Sequence, residues 1–193
     1  MVPAVGVLAL QGDVREHIHL LKDIGASPAP VRTLEELERV DALVIPGGES
    51  TTIGFMLAEH ELIEPLKKRI EDGLPVLGTC AGAILLAKEV VGGSTDKEWP
   101  KIGVLDVSIH RNAYGRQVDS FEEDVEVSDV GPMHAVFIRA PVIESVGPGV
   151  EVLAELRAGP VVVREENIIA ATFHPELAGE SGLHRLLTES SKR

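Results

Sequence analysis

Pro75-Val-Leu-Gly-Thr-Cys-Ala-Gly82 sets a short apolar run against a cysteine bracketed by glycines, and a run of helical character, Ala81 to Val90, follows it. A strand that turns sharply into a helix at Gly-x-Cys-x-Gly is the setting of a nucleophile elbow with cysteine in the serine position. The glycines relieve crowding, the thiol is lifted above the carboxyl edge of a sheet, and the helix start favours the thiolate. A cysteine that packs only as a small hydrophobe is the plain alternative, and the strand-to-helix junction weighs against it.

The same alternation extends in both directions. Upstream, Val5 to Leu10 reads as a strand covered on both faces, and Asp13 can cap a helix with Val14, Ile18 and Leu21 on one stripe, ending before Gly25. Ala29 to Arg32 reads as extended, Thr33-Leu-Glu-Glu36 as a capping box, and Ala42 to Ile45 as a buried strand broken by Pro46-Gly-Gly48. Thr51 to Leu57 and Leu62 to Ile70 read as helices. Repeated strand, helix, strand units predict an α/β fold of three layers, a mostly parallel central sheet with helices on both faces. Downstream, Val104 to Ile109, Phe121 to Val127, Val136 to Arg139, Val150 to Leu156 and Val161 to Val163 read as shorter strands, several antiparallel, with Gly159-Pro160 near a hairpin turn. Ile168 to Phe173 is a last buried strand, and Leu183, Leu186 and Leu187 stripe a final helix. Gly92 to Pro100 reads as a surface loop. With no repeat and no linker, 1–193 is expected to form a single domain.

Composition narrows the function. The 193 residues are 44% hydrophobic and 25% charged, with 31 acidic against 18 basic residues and a net charge of −13, which argues against nucleic acid or an anionic membrane as the main partner. Aromatics are only 3%, with Trp99 and Tyr114 each alone in kind, so the core is expected to be aliphatic and base stacking has little material. One cysteine excludes an intrachain disulfide and a cysteine-cluster metal site, and suits a reducing compartment. The apolar start, Met1 to Leu10, has no basic residue before it and reads as a strand, and no apolar run approaches the roughly 20 residues of a membrane span. A soluble, cytoplasmic chain is expected.

Two further clusters carry chemistry. Phe173-His-Pro-Glu176 ends the last apolar strand, where His174 can serve as base and acid to a thiol and Glu176 can orient it. The other histidines, His17, His19, His60, His110, His134 and His184, read mostly as surface or helix-flank residues; no His-x-x-x-His pair occurs, and no metal is expected. Pro46-Gly-Gly-Glu-Ser-Thr-Thr52 lets backbone amides approach a ligand closely. It lacks the phosphate-loop and dinucleotide signatures. The remaining readings are an oxyanion hole, with a Gly48-side amide and the Ala81 amide facing the oxyanion, or a turn with Ser50 or Thr51 capping a helix.

These three clusters, in this order and across essentially the whole chain, resemble the class I, triad-type glutamine amidotransferases. Val7 to His17, Pro46 to Thr52, Arg111-Asn-Ala-Tyr-Gly-Arg-Gln117 and Phe137-Ile-Arg-Ala-Pro141 narrow the resemblance to the glutaminase subunits of pyridoxal 5′-phosphate synthase, on the ribose-phosphate-dependent route to vitamin B6. The resemblance implies a flavodoxin-like sheet and a catalytic triad of Cys80, His174 and Glu176. It implies L-glutamine binding by Gly48, Glu49, Ser50, Arg111, Ile138 and Arg139, and a place for Gln11 near the oxyanion loop. It also implies no cofactor, and a (β/α)₈-barrel synthase subunit as partner in a large hetero-oligomer, on which glutaminase activity depends. Departures are Ala83 in place of a larger aliphatic residue and a longer loop at Asp96-Lys-Glu-Trp-Pro100. The competing readings are a glutaminase serving another acceptor, such as an imidazole-glycerol-phosphate or anthranilate pathway, a cysteine peptidase or stress-protein relative, and a binding module with a vestigial site. The peptidase type usually has histidine where Ala81 stands.

Overall fold

A computed structural model describes residues 2–92, 99–111 and 120–191. In chain order it forms β1 (Ala4–Leu8), α1 (Val14–Asp23), β2 (Ser27–Val31), α2 (Leu34–Glu38), β3 (Ala42–Ile45), α3 (Ser50–Glu59), α4 (Ile63–Glu71), β4 (Val76–Thr79) and α5 (Ala81–Leu86). The second half supplies β5 (Ala87–Val91), β6 (Leu105–His110), β7 (Phe121–Val127), β8 (Gly131–Phe137), β9 (Val142–Val146), β10 (Glu151–Leu156), β11 (Gly159–Glu165) and β12 (Ile168–Ala171). A 3₁₀ turn at Pro175–Leu177 and α6 (Gly182–Ser190) end it.

The central sheet has seven strands in the order β10-β11-β12-β4-β3-β1-β2. β12, β4, β3, β1 and β2 are mutually parallel, and β11 adds to β12 antiparallel as part of the β10–β11 hairpin. Residue alternation explains the three layers. In β3, Leu43 and Ile45 join one core with α2, α3, α4 and α5, while Ala42 and Val44 face the other core with α1, α6 and the β7–β8 hairpin. β12 divides likewise, Ile168 and Ala170 to the first and Ile169 and Ala171 to the second. Both faces of the strands are therefore buried, which is why they read as unbroken apolar runs. β2 is the exception; it carries Pro28 and Pro30 and lies at the sheet edge, where a missing N–H costs no ladder bond.

Several elements depart from the sequence reading. The helix expected over Ala81 to Val90 stops at Leu86, and Ala87–Val91 leaves as β5 to pair in parallel with β6. All six residues of α5 are buried, so its apolar run has no polar face to mark its end, whereas the β-branched Val90 and Val91 take the strand. The strand expected at Val136 to Arg139 is β8 and ends two residues earlier, because Arg139 has a φ of +45°, and β9 was not expected. The core is chiefly aliphatic but includes Phe121, Phe137 and Phe173 in a row, with ring centroids 4.5 and 5.4 Å apart. Most of the 92–100 loop and of the 111–117 motif lies outside the described residues. Among the described residues no helix is long and apolar enough to cross a membrane.

Candidate active site

Four loops leave the carboxyl ends of four neighbouring strands, β12, β4, β3 and β1, and meet in one crevice, where ligands of open parallel sheets collect. Cys80 follows β4 directly. Its backbone has a positive φ (+47°), its N–H bonds the Ala171 carbonyl of β12 at 2.8 Å, and the residue is 7% exposed. Such a conformation is costly for a residue with a side chain and is characteristic of functional turns. The flanking Gly82 is required by close approach, since a Cβ there would overlap the Ile45 carbonyl oxygen of β3.

His174 sits three residues beyond β12 and is tied to β8 by its N–H to the Val136 carbonyl at 2.8 Å. Its Nδ1 lies 2.7 Å from Glu176 Oε1 and 3.3 Å from Asp13 Oδ2. Burial works against a charged ring, but hydrogen bonds to Asp13, Cys80 and Glu176 and the charge of Cys80 outweigh it, and the His174 pKa is pushed up to about 12. The ring is thus held as an imidazolium beside the sulfur, a form that can give a proton to a leaving group. Glu176 is 6% exposed; burial pushes its carboxyl up, against the hydrogen bond and charge of His174. Asp13, His174 and Glu176 also have metal-ligand spacing, but both carboxylates address the same ring nitrogen, so a shared hydrogen bond accounts for their closeness.

The loop after β3 forms the opposite wall. A Cβ on Gly47 would strike the His174 ring, which explains the glycine there. The capping residue of α3 is Glu49, not the Ser50 or Thr51 of the turn-and-cap alternative: its carboxylate accepts from the Thr51 and Thr52 N–H groups at 3.2 and 2.7 Å. Against the cost of burial, these bonds and that of the Thr52 hydroxyl hold its pKa below the usual carboxylate value. Gln11 Oε1 accepts from the Glu49 N–H at 2.8 Å and so braces the loop from β1. Across the elbow, Ala81 is the first residue of α5, and its N–H has no intrahelical acceptor.

These groups enclose a cavity of about 400 Å³. Gly48, Glu49, Ser50, Cys80, Ala81, Arg111, Ile138, Arg139 and His174 all line it, so every predicted site residue except Glu176, which stands behind His174, reaches the same space. Arg111 is fixed in the wall, its Nη2 3.0 Å from Thr51 Oγ1 and 3.5 Å from Glu49 Oε1, with its guanidinium 5.1 Å from the Trp99 ring centroid. Ile138 and Arg139 are exposed at the rim.

A family model describing the SNO glutamine amidotransferases matches residues 7–191. The chain belongs to that family. It is 56% identical over 189 residues to the pyridoxal 5′-phosphate synthase subunit PdxT of Frankia alni, covering 97% of this chain and 94% of the relative. It is 54% identical over 190 residues to the protein of the same name from Mycolicibacterium vanbaalenii, covering 97% of both. A crystal structure of a glutamine amidotransferase superposes with a TM-score of 0.92 at 53% identity, over 98% of this chain and 99% of the other.

Three side chains at or behind this cavity were missed by the sequence reading. Asp13 does not cap α1 with its side chain, as the sequence suggested, but faces His174. His17 and His184, read as surface or flank residues, are fully buried behind Glu176, whereas His19 and His60 are exposed as expected. The signal for His17 lay in its position: with Val14 and Leu21 it shares the buried stripe of α1, and a histidine on such a stripe needs a polar partner.

Proposed function

We propose that residues 1–193 act as one glutaminase domain that hydrolyses L-glutamine to L-glutamate and ammonia for pyridoxal 5′-phosphate synthesis, with Cys80 as nucleophile. The convergence of a strained cysteine, an imidazolium and a fixed guanidinium on one cavity carries this reading. The Cys80 sulfur attacks the side-chain carboxamide carbon, and the oxyanion is received by the Gly48-side and Ala81 amides. His174, oriented by Glu176, passes its proton to the leaving nitrogen, and ammonia departs from a glutamyl thioester. The neutral ring then takes a proton from water, the hydroxide attacks the thioester, and glutamate leaves with the thiol restored.

Gly48, Glu49, Ser50, Arg111, Ile138 and Arg139 hold the substrate in this proposal. Arg111 is the better holder of the α-carboxylate, because Trp99 and Thr51 already fix it and little side-chain entropy is lost on binding. The ammonia acceptor is a synthase subunit, which we propose to be a (β/α)₈ barrel within a large hetero-oligomer in the cytoplasm, where a free thiol stays reduced. Glutamate release assayed with and without the synthase subunit tests the reading. Activity that depends on the subunit and disappears in Cys80→Ala is expected; full activity in that variant would overturn the proposal.

A further inference from the structure

Behind the proposed triad, four side chains from four parts of the chain form a buried polar chain. His17 Nδ1 of α1 lies 2.8 Å from His184 Nε2 of α6, and His17 Nε2 lies 3.2 Å from Thr79 Oγ1 at the end of β4 and 3.5 Å from Glu176 Oε2. Both imidazoles are fully buried, and the Glu176 Oε2 and His184 Nδ1 atoms are buried without a hydrogen-bond partner. Polar groups are seldom left so in an apolar core unless they serve one another.

The orphan atoms determine where the protons lie. Burial lowers the pKa of both rings, that of His184 to about 4 and that of His17 well below its ordinary value, so each is neutral at neutral pH and carries one N–H. If His17 carried its proton on Nδ1 and gave it to His184, its bare Nε2 would face the Glu176 carboxylate, and His184 would bury an N–H with no acceptor. With the protons on both Nε2 atoms, His184 donates to His17, and His17 points its N–H at Glu176 Oε2 and Thr79 Oγ1. Each ring N–H then faces an acceptor, and what the two rings leave unpartnered is a lone pair, on His184 Nδ1, the cheaper omission.

We infer that His17, held in this tautomer by His184, is a positioning residue for Glu176: its Nε2–H fixes the carboxylate by one oxygen while the other holds His174. This rests on the Cys80, His174, Glu176 reading above. The charged and titratable groups facing Glu176 are His174 and Asp13 on the cavity side, with Cys80 beyond the His174 ring, and His17 and His184 behind. Of these, His17 alone addresses Oε2. A donor at that oxygen favours the ionised carboxylate, so its loss raises the Glu176 pKa and moves the acid limb of the activity profile to higher pH.

The test has two arms. Nitrogen-15 NMR of the histidine rings in the wild-type protein at pH 7.5 should show Nε2–H tautomers for both His17 and His184; a protonated ring or an Nδ1–H tautomer at His17 would overturn the inference without any assay. In the complex with the synthase subunit, His17→Leu should lower kcat by about 10- to 100-fold, a share of what general acid–base catalysis supplies, with little change in KM. The acid limb should move up in pH, and His17→Gln, whose amide nitrogen reaches the Nε2 position, should restore most of both. A His17→Leu complex with wild-type kcat and an unmoved acid limb would sink the inference while leaving the triad reading standing. Wild-type complex without glutaminase activity would instead remove the triad reading. If His17→Leu does not fold, the ring tautomers decide alone.

Discussion

Asp13 stands at the head of α1 yet gives the helix no side-chain cap, because its carboxylate faces His174. It is one of the groups that raise the His174 pKa, so Asp13→Asn should lower that pKa. Catalysis that requires the imidazolium would then fail at lower pH, and the basic limb of the glutaminase profile of the complex should shift downward. At the other wall, Arg111→Ala should raise KM for glutamine by about 10- to 100-fold with kcat nearly unchanged, the cost of one charge-assisted contact made equally in ground and transition states. Such residues differ in how far sequence reveals them. Cys80 and His174 were legible because each leaves an apolar strand within a short motif, and the strand end fixes the place. Asp13 and His17 were not, because their partners lie more than 150 positions away, at His174 and His184, and only the folded sheet brings them together.

Two helix starts show what a local motif does and does not determine. At α2 the Thr33 hydroxyl accepts from the Glu36 N–H at 3.3 Å and the Glu36 carboxylate accepts from the Thr33 N–H at 3.1 Å, the reciprocal box that the sequence spells out. Thr33→Ala should cost about 1 kcal/mol in urea unfolding and leave glutaminase activity untouched. At α5 the start is set by packing, since Gly82 lies against the Ile45 carbonyl of the neighbouring strand. Gly82→Ala should cost about 1 to 3 kcal/mol and depress activity as well, because relief of the overlap moves the turn that carries Cys80. The same contrast explains the missed β5: α5 is buried on every side, so periodicity carries no information about its end, whereas α1, with exposed and buried faces, was placed to within a residue.

Across the whole molecule, acid should weaken the fold through two of its three buried histidines, His17 and His184. Their pKa values are lowered by burial, so below the ordinary value of 6.5 the unfolded chain takes up protons that the folded chain refuses. Their contribution is complete above pH 6.5 and is lost as pH falls toward about 4, a loss of about 3 kcal/mol from His184 alone. Below pH 6.5 the raised His174 adds no further change, so urea titrations at pH 6.5, 5.7 and 5 should show the decline, and His184→Leu should flatten it; Glu36 and Glu49, lowered from 4.5, act only at lower pH. The net charge of −13 is no obstacle to the proposed substrate, since free glutamine is zwitterionic and carries no net charge. The order of strands also has a temporal side. β12, the last strand made, lies directly beside β4, and it leads to His174 and Glu176, whereas the thiol at the end of β4 emerges nearly a hundred residues earlier. On the proposed triad, a nascent chain therefore carries its sulfur without a base for nearly a hundred residues of synthesis, and a chain broken off before Glu176 is never armed: the reactive centre comes into being only when β12 seals the middle of the sheet.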